Sequence, residues 1–324
     1  MTANSHFDGR RFHNLDPAAP RGLGLILRWM LTRRRTRWPD WVEDPPQPPP
    51  SEDPPPPGHA RLTYIGHSTF LIAFAAPDGA CFRVLTDPVF SERCSPVRWA
   101  GPRRVRAPGV PLERLPHVHA VLLSHNHYDH MDLPSLRALH ERFAPKVVTP
   151  LGNARILVRA GLPGSAELDW WEEAPLGPVR VVATPARHFS RRGLLDTDRA
   201  LWAGFMLRLD GRQLFYAGDS GAGRHWAAIR DRLGPPGLAL LPIGAYLPRS
   251  IMQPVHMDPA EAVQARAELG TARAIGMHFG TFQLTDEGIA DPIRALDAAR
   301  DRVGLLRDAF DVLGFGETRD VPFA

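Results

Sequence analysis

A chain of 324 residues allows one large domain or two small ones, and 44% hydrophobic content is ordinary for a globular protein with a sizeable core. Its two cysteines, Cys81 and Cys94, form no CxxC pair, which excludes a disulfide framework or a thiolate metal site and makes a reducing compartment the default. The net charge of +4 is unevenly placed: residues 1–40 hold eight arginines and three aspartates, and the remainder holds 31 basic and 32 acidic residues. The bulk of the chain therefore offers no basic face, and no nucleic-acid partner is expected.

In chain order, the first twenty residues are polar and carry Pro17 and Pro20. LGLILRWMLTRRRTRWPDW (23–41) follows. Its apolar part, Leu23 to Leu31, spans nine residues and contains Arg28. That is too short to cross a bilayer, and it lies too far in, without a small-residue cleavage site, to read as a signal peptide. Trp29, Trp38 and Trp41 beside an arginine cluster suit a membrane interface. The same residues also suit an amphipathic helix packed on the protein's own core. DPPQPPPSEDPPPPG (44–58) has nine prolines in fifteen residues and is expected to run as extended polyproline II. These breaks divide the chain into a basic arm (1–43), a proline-rich connector (44–58) and a main domain (59–324).

From Arg61 short strands alternate with helical stretches. RLTYIGHSTFLIAFA, CFRVLTD and HAVLLS are strand-like, and Asp132 opens a helix through LPSLRALHERF. That helix is expected to be capped by Asp132, with Pro134 tolerated in its first turn. KVVTP and PVRVVATP read as strands, and LWAGFMLRLDGRQLFYAGDS as a hairpin turning on Asp210-Gly211. LALLPIGAY is a buried strand. DPAEAVQARAELG is a helix capped by Asp258 and closed by Gly270. RAIGMHFGTF is a final strand and IADPIRALDAARDRVG a final helix. No internal repeat stands out by sequence identity.

The chemistry is concentrated in LLSHNHYDH (122–130), where three histidines and an aspartate follow directly on an apolar run. On extended backbone His125 and His127 point the same way, because side chains alternate. A helical turn starting near Tyr128 would turn Asp129 and His130 toward a neighbouring point. Imidazole nitrogens and carboxylate oxygens are ordinary zinc ligands, and the pattern suits two ions side by side. Further ligands are expected at strand ends: His188 after PVRVV, Asp219 after LFYA and His278 after RAIGM. Mixed sheets gather such ends on one edge.

The ordered set HxHxDH, His, Asp, His resembles the metallo-β-lactamase fold, an α/β four-layer αββα sandwich. Longer strings resemble one branch of it, the N-acylphosphatidylethanolamine-hydrolysing phospholipase D family: SHNHYDHMD, ELDWWEE (167–173), FYAGDSG (215–221), LPIGAYLPRSIMQPVHMDPAEAV (241–263) and IGMHFGTFQL (275–284). The likeness covers about residues 61 to 320. It implies that His125, His127 and His188 hold one zinc ion, that Asp129, His130 and His278 hold the other, and that Asp219 bridges them. It also implies a phospholipid or other phosphodiester substrate and a homodimer.

The expected reaction is phosphodiester hydrolysis by a hydroxide held between the two zinc ions, with Asp129, Asp219 and His256 as the catalytic set. His256 would bind the phosphate or protonate the leaving group, beside Tyr246 and Arg249 as substrate-binding residues. His67 and Asp87 are candidates to orient the ligands. The expected location is the cytoplasm, peripheral on the inner face of the membrane through the arm. The alternative is a metal-dependent lactonase or other ester hydrolase of the same fold on a soluble substrate, independent of residues 23–41.

Overall fold

A computed structural model describes residues 6–16 and 23–323; the side chains of Leu23, Leu25, Ile26, Leu27 and Met30, and with them the expected apolar face of the arm, lie outside the described residues. The first half of the chain runs α1 (Leu23–Thr32), β1 (His59–Gly66), β2 (Thr69–Ala75), β3 (Cys81–Thr86), β4 (Ala120–Leu122), α2 (Leu133–Phe143), β5 (Lys146–Pro150), α3 (Ala154–Arg159) and β6 (Ala166–Leu168). The second half runs β7 (Glu173–Leu176), β8 (Val179–Thr184), β9 (Gly204–Leu209), β10 (Arg212–Tyr216), α4 (His225–Leu233), β11 (Leu238–Pro242), α5 (Arg249–Met252), α6 (Pro259–Leu269), β12 (Arg273–Met277), α7 (Asp291–Val303), β13 (Phe310–Val312) and β14 (Thr318–Pro322).

The strands form two sheets, ordered β14-β1-β2-β3-β4-β5-β6 and β13-β12-β11-β10-β9-β8-β7. Both repeat one plan. In the first, β1, β2 and β3 run antiparallel and β3 to β6 parallel. In the second, β8, β9 and β10 run antiparallel and β10 to β13 parallel. This shared plan leaves no trace in sequence identity.

Alternation along the strands builds the layers. Leu62, Tyr64, Phe70, Ile72, Val84 and Leu122 join Phe205, Leu207, Leu214 and Leu240 in one large buried cluster. Their neighbours Ile65, Leu71, Leu85, Val121 and Leu123 face the other way and pack with Leu136 and Leu139 of α2 and Leu157 of α3. Helix α6 packs on β11, with α4 and α7 beside it. The result is the αββα sandwich. Local chemistry acts as the sequence indicates at α6, where Asp258 and Glu261 form a reciprocal capping box and Gly270 closes the helix at φ 68°. Asp132 precedes α2 without capping it; its Oδ2 accepts from Ser91 N and Ser135 Oγ instead.

The antiparallel and parallel relations point the C-terminal ends of β1, β3 and β4 to one edge of the first sheet, and those of β8, β10, β11 and β12 to one edge of the second. The residues just beyond those ends are His67, Asp87, Ser124, His188, Asp219, Gly244 and His278.

The arm and connector lie on the domain. Trp29 donates its indole N–H to Asp286 Oδ2 (2.6 Å), and Trp38, buried, donates to Glu287 O (2.8 Å). Trp41 is 44% exposed. Val42 N bonds Val105 O, and Arg106 pairs with Asp44. The proline run is fastened by Arg83 to Glu52 O and by Arg61 to Asp53 O. Among the described residues no helix is long and apolar enough to cross a membrane.

Gly244 shows how tightly the edge is drawn. A Cβ there would stand 1.9 Å from His278 O, against backbone that cannot swing aside. We expect Gly244→Ala to destabilise the fold by about 1–3 kcal/mol through overpacking and to displace His278. A thermal melt beside a metal-binding assay checks this; an unchanged melt with full metal binding would contradict it.

Candidate metal centre

The turn that carries HNHYDH forms as its spacing suggests. After β4 the chain stays extended through His125, then tightens, with His130 N and Met131 N both bonded to His127 O. His125 Nε2 and His127 Nδ1 come within 2.9 Å, and His188 Nε2 lies 3.2 Å from the same Nδ1. Three imidazole nitrogens thus converge on one point.

A second point lies beside it. Asp129 Oδ2 is 3.5 Å from both His130 Nε2 and His278 Nε2. Asp219 Oδ2 is 3.1 Å from each of those nitrogens and 3.8 Å from His188 Nε2. Asp219 therefore stands between the two groups, as a bridging ligand must. Its reach depends on Gly218, at φ 59°, where a Cβ would stand 2.6 Å from Ser124 Cβ.

Three of the imidazoles, those of His130, His188 and His125, are aimed by their other nitrogen. His130 Nδ1 donates to Asp87 Oδ2 (2.6 Å) and His188 Nδ1 to Val255 O (3.0 Å). Ser124 Oγ gives its proton to Asp87 Oδ2 (2.5 Å), so it accepts from His125 Nδ1 (2.9 Å). Asp87, fully buried, also accepts from Ser124 N and from Tyr216 O–H. The ligand-orienting role expected of Asp87 is thus met, through a hub that includes Tyr216, a residue the sequence gave no reason to select.

His67 does more than the sequence suggests. Its Nε2 donates to Asp129 Oδ2 at 2.9 Å, which places it within the Asp129, His130, His278 group. Its carbonyl accepts from His278 N. The signal available was its position directly after β1, matching the other strand-end residues.

Electrostatics separate the two groups. Burial holds His125 and His188 well below the ordinary histidine value and His127 down to about 4, so all three are neutral and present lone pairs. Burial acts the same way on His130 and His278, but the carboxylates of Asp219 and Asp129 outweigh it; His130 is raised well above its usual value and His278 to about 9. Burial works against ionisation of Asp129 and Asp219, yet the facing imidazoles hold both well below the usual carboxylate range.

The donor set fits metal. His130 Nε2, His278 Nε2 and Asp219 Oδ1 are buried without a hydrogen-bond partner. Such orphans cost about 1–3 kcal/mol each unless something satisfies them, and a divalent cation would. All seven residues expected as ligands come together here. His256 stands at the rim, its Nδ1 4.0 Å from Asp219 Oδ2, with 12% of its side chain exposed. Arg249 does not face the centre freely; it bonds Glu261 Oε2 and His256 O. Tyr246 lies beside it, nearly buried.

Comparison with known proteins agrees with this geometry. Residues 82–279 match the model of the beta-lactamase superfamily domain. An uncharacterised protein of Mycobacterium tuberculosis is 36% identical over 300 residues, 90% of this chain and 78% of that one. N-acyl-phosphatidylethanolamine-hydrolyzing phospholipase D 1 of Caenorhabditis elegans is 32% identical over 269 residues, 79% and 74% of the two chains. The solved structure of an isothiocyanate hydrolase from Delia radicum gut bacteria superposes with a TM-score of 0.64 at 22% identity, over 82% of this chain and all of that one. The fold and site define a metal-dependent hydrolase. The chain belongs to the metallo-β-lactamase superfamily, among the relatives of the N-acylphosphatidylethanolamine-hydrolysing phospholipases D.

Asp87→Asn isolates the role of the buried hub. Three donors converge on its Oδ2 and one on Oδ1; an amide in either orientation leaves at least one donor facing an N–H. We expect metal affinity to fall about 10- to 100-fold, with a lowered melting temperature. Titration of metal-stripped protein measures it, and wild-type affinity would contradict the assignment.

Proposed function

We propose that this hydrolase is a two-zinc phosphodiesterase acting on N-acylphosphatidylethanolamine or a phospholipid of that kind. Water would cleave the phosphorus–oxygen bond to the head group, leaving phosphatidate and an N-acylethanolamine. The observation that carries the reading is the convergence of His125, His127 and His188 on one side, and Asp129, His130 and His278 on the other, about Asp219 Oδ2. The relative named for this lipid supports the substrate class.

Bound zinc would supply Lewis acidity and a water whose pKa lies near neutrality. The chain supplies the rest. Asp219 fixes the separation of the two ligand groups. Asp87, Ser124 and Val255 O keep His130, His125 and His188 in the tautomer that faces inward. His256, at the rim, can donate a proton to the leaving oxygen or hold the phosphate. Arg249, through its bonds to His256 O and Glu261, holds the loop that carries His256, with Tyr246 at its side. Arg34, Arg35 and Arg37 are exposed and offer cations to an anionic lipid surface.

The test presents zinc-loaded protein with vesicles of N-acylphosphatidylethanolamine in anionic phospholipid, and separately with a soluble lactone, identifying products by mass spectrometry. We expect phosphatidate and N-acylethanolamine, with vesicle-bound protein falling as salt rises. Ring-opening of the lactone with intact lipid would overturn the reading in favour of a soluble ester hydrolase. In the same assay Asp219→Asn should lower turnover at least about a hundredfold while the melt stays near wild type; normal turnover would place the bridge elsewhere. His256→Ala should lower turnover with both zinc ions retained, whereas loss of zinc would make His256 a ligand.

A further inference from the structure

His188 differs from the other ligands in how its backbone is held. Residues 185–203, between β8 and β9, contain no helix or strand. No neighbouring strand is therefore there to take the N–H and C=O of His188. The side chain of Asn14 takes both: His188 N donates to Asn14 Oδ1 at 3.0 Å, and Asn14 Nδ2 donates to His188 O at 2.8 Å. An amide side chain presents a donor and an acceptor side by side, as the edge of a strand does. Its orientation is supported by Trp202, whose indole N–H is shared between the same Oδ1 (3.0 Å) and Ala186 O (2.9 Å); a flipped amide would set its NH2 against the donors of His188 and Trp202.

Asn14 is itself anchored on both sides. His6 bonds Asp169 Oδ1 at 2.7 Å and stacks on Trp170 with ring centroids 4.4 Å apart. Phe12 is buried, and its N–H donates to Asp198 O in the same loop as His188. Asp16 pairs with Arg224 at 2.6 Å. Residues 6–16 thus cross the loop as a strap, pinned before, at and after the ligand.

We propose that Asn14 is a positioning residue of the metal centre. It fixes the backbone of His188 and hence the aim of Nε2 at the point shared with His125 and His127, so the strap belongs to the hydrolase and is not a detachable part of a membrane arm. The inference rests on the reading of the centre as a two-ion site. Asn14 touches no ligand atom, so its effect should be confined to the ion held by His125, His127 and His188.

The experiment titrates zinc into metal-stripped full-length protein against a chromophoric chelator, for wild type, Asn14→Ala and the control His13→Ala. His13 is exposed and pairs with Asp8 on the same strap. Wild type and the control should bind two ions. Asn14→Ala should keep one at wild-type affinity and bind the other about 10- to 100-fold more weakly. A general loss of stability would weaken both, and so would not give that split. Should Asn14→Ala fail to fold, Asn14→Asp keeps the size and the acceptor oxygen, sets a charged oxygen in place of the donor to His188 O, and carries the same comparison. Two ions bound by the variant with wild-type affinity would overturn the inference alone. Wild type that binds no zinc would overturn the metal reading and the inference with it.

Discussion

The candidate metal centre turns on one buried carboxylate. Asp219 is 3% exposed, and a charge so placed is costly unless it is paired. Its Oδ2 meets His130 and His278 at 3.1 Å and His188 at 3.8 Å, so side chains carried by both sheets are drawn to a single oxygen. The sandwich makes that meeting possible. Two sheets with the same plan of antiparallel then parallel strands present their C-terminal ends on one edge, and the segments just beyond those ends carry the ligands. Close approach is secured by glycine at two places: Gly218 against Ser124, and Gly244 against His278 O.

Much of this was legible in the sequence, for physical reasons. HAVLLSHNHYDH joins a buried-strand run to a polar turn, and the period of two that sorts core from surface also sets His125 and His127 on one side. The hairpin at Asp210-Gly211 and the helix from Pro259 to Leu269 carry their own punctuation. The edge strands β6, β7, β13 and β14 escaped, being short or lying beyond the apparent final helix. The partners of the ligands were only partly readable. Asp87 and His67 stood out as strand-end residues, but nothing local marks Tyr216 as a donor to Asp87 or Asn14 as a partner of His188, 174 residues away. Such contacts are created by tertiary packing and have no periodicity to betray them.

The N-terminal segment shows the same limit. Composition sets it apart by its charge and its proline run. In the fold, Trp29 and Trp38 spend their indole N–H groups on residues 286 and 287, and the strap at 6–16 lies across the loop of His188. A segment distinct in composition is thus continuous in packing with the domain it precedes. Its exposed arginines and its buried anchors are separate residues, so the two proposed roles, support of the metal centre and contact with a lipid surface, do not compete for the same side chains.

Everything proposed for the site follows from two ions sharing Asp219 between the sheet edges. Diffraction from zinc-soaked crystals, with anomalous data on both sides of the zinc absorption edge, tests it most directly. Two peaks flanking Asp219 are expected. One lies about 2.0–2.1 Å from the facing nitrogens of His125, His127 and His188, and the other is held by Asp129, His130 and His278. A single peak, no peak, or a second ion bound through His67 in place of His278 would contradict it.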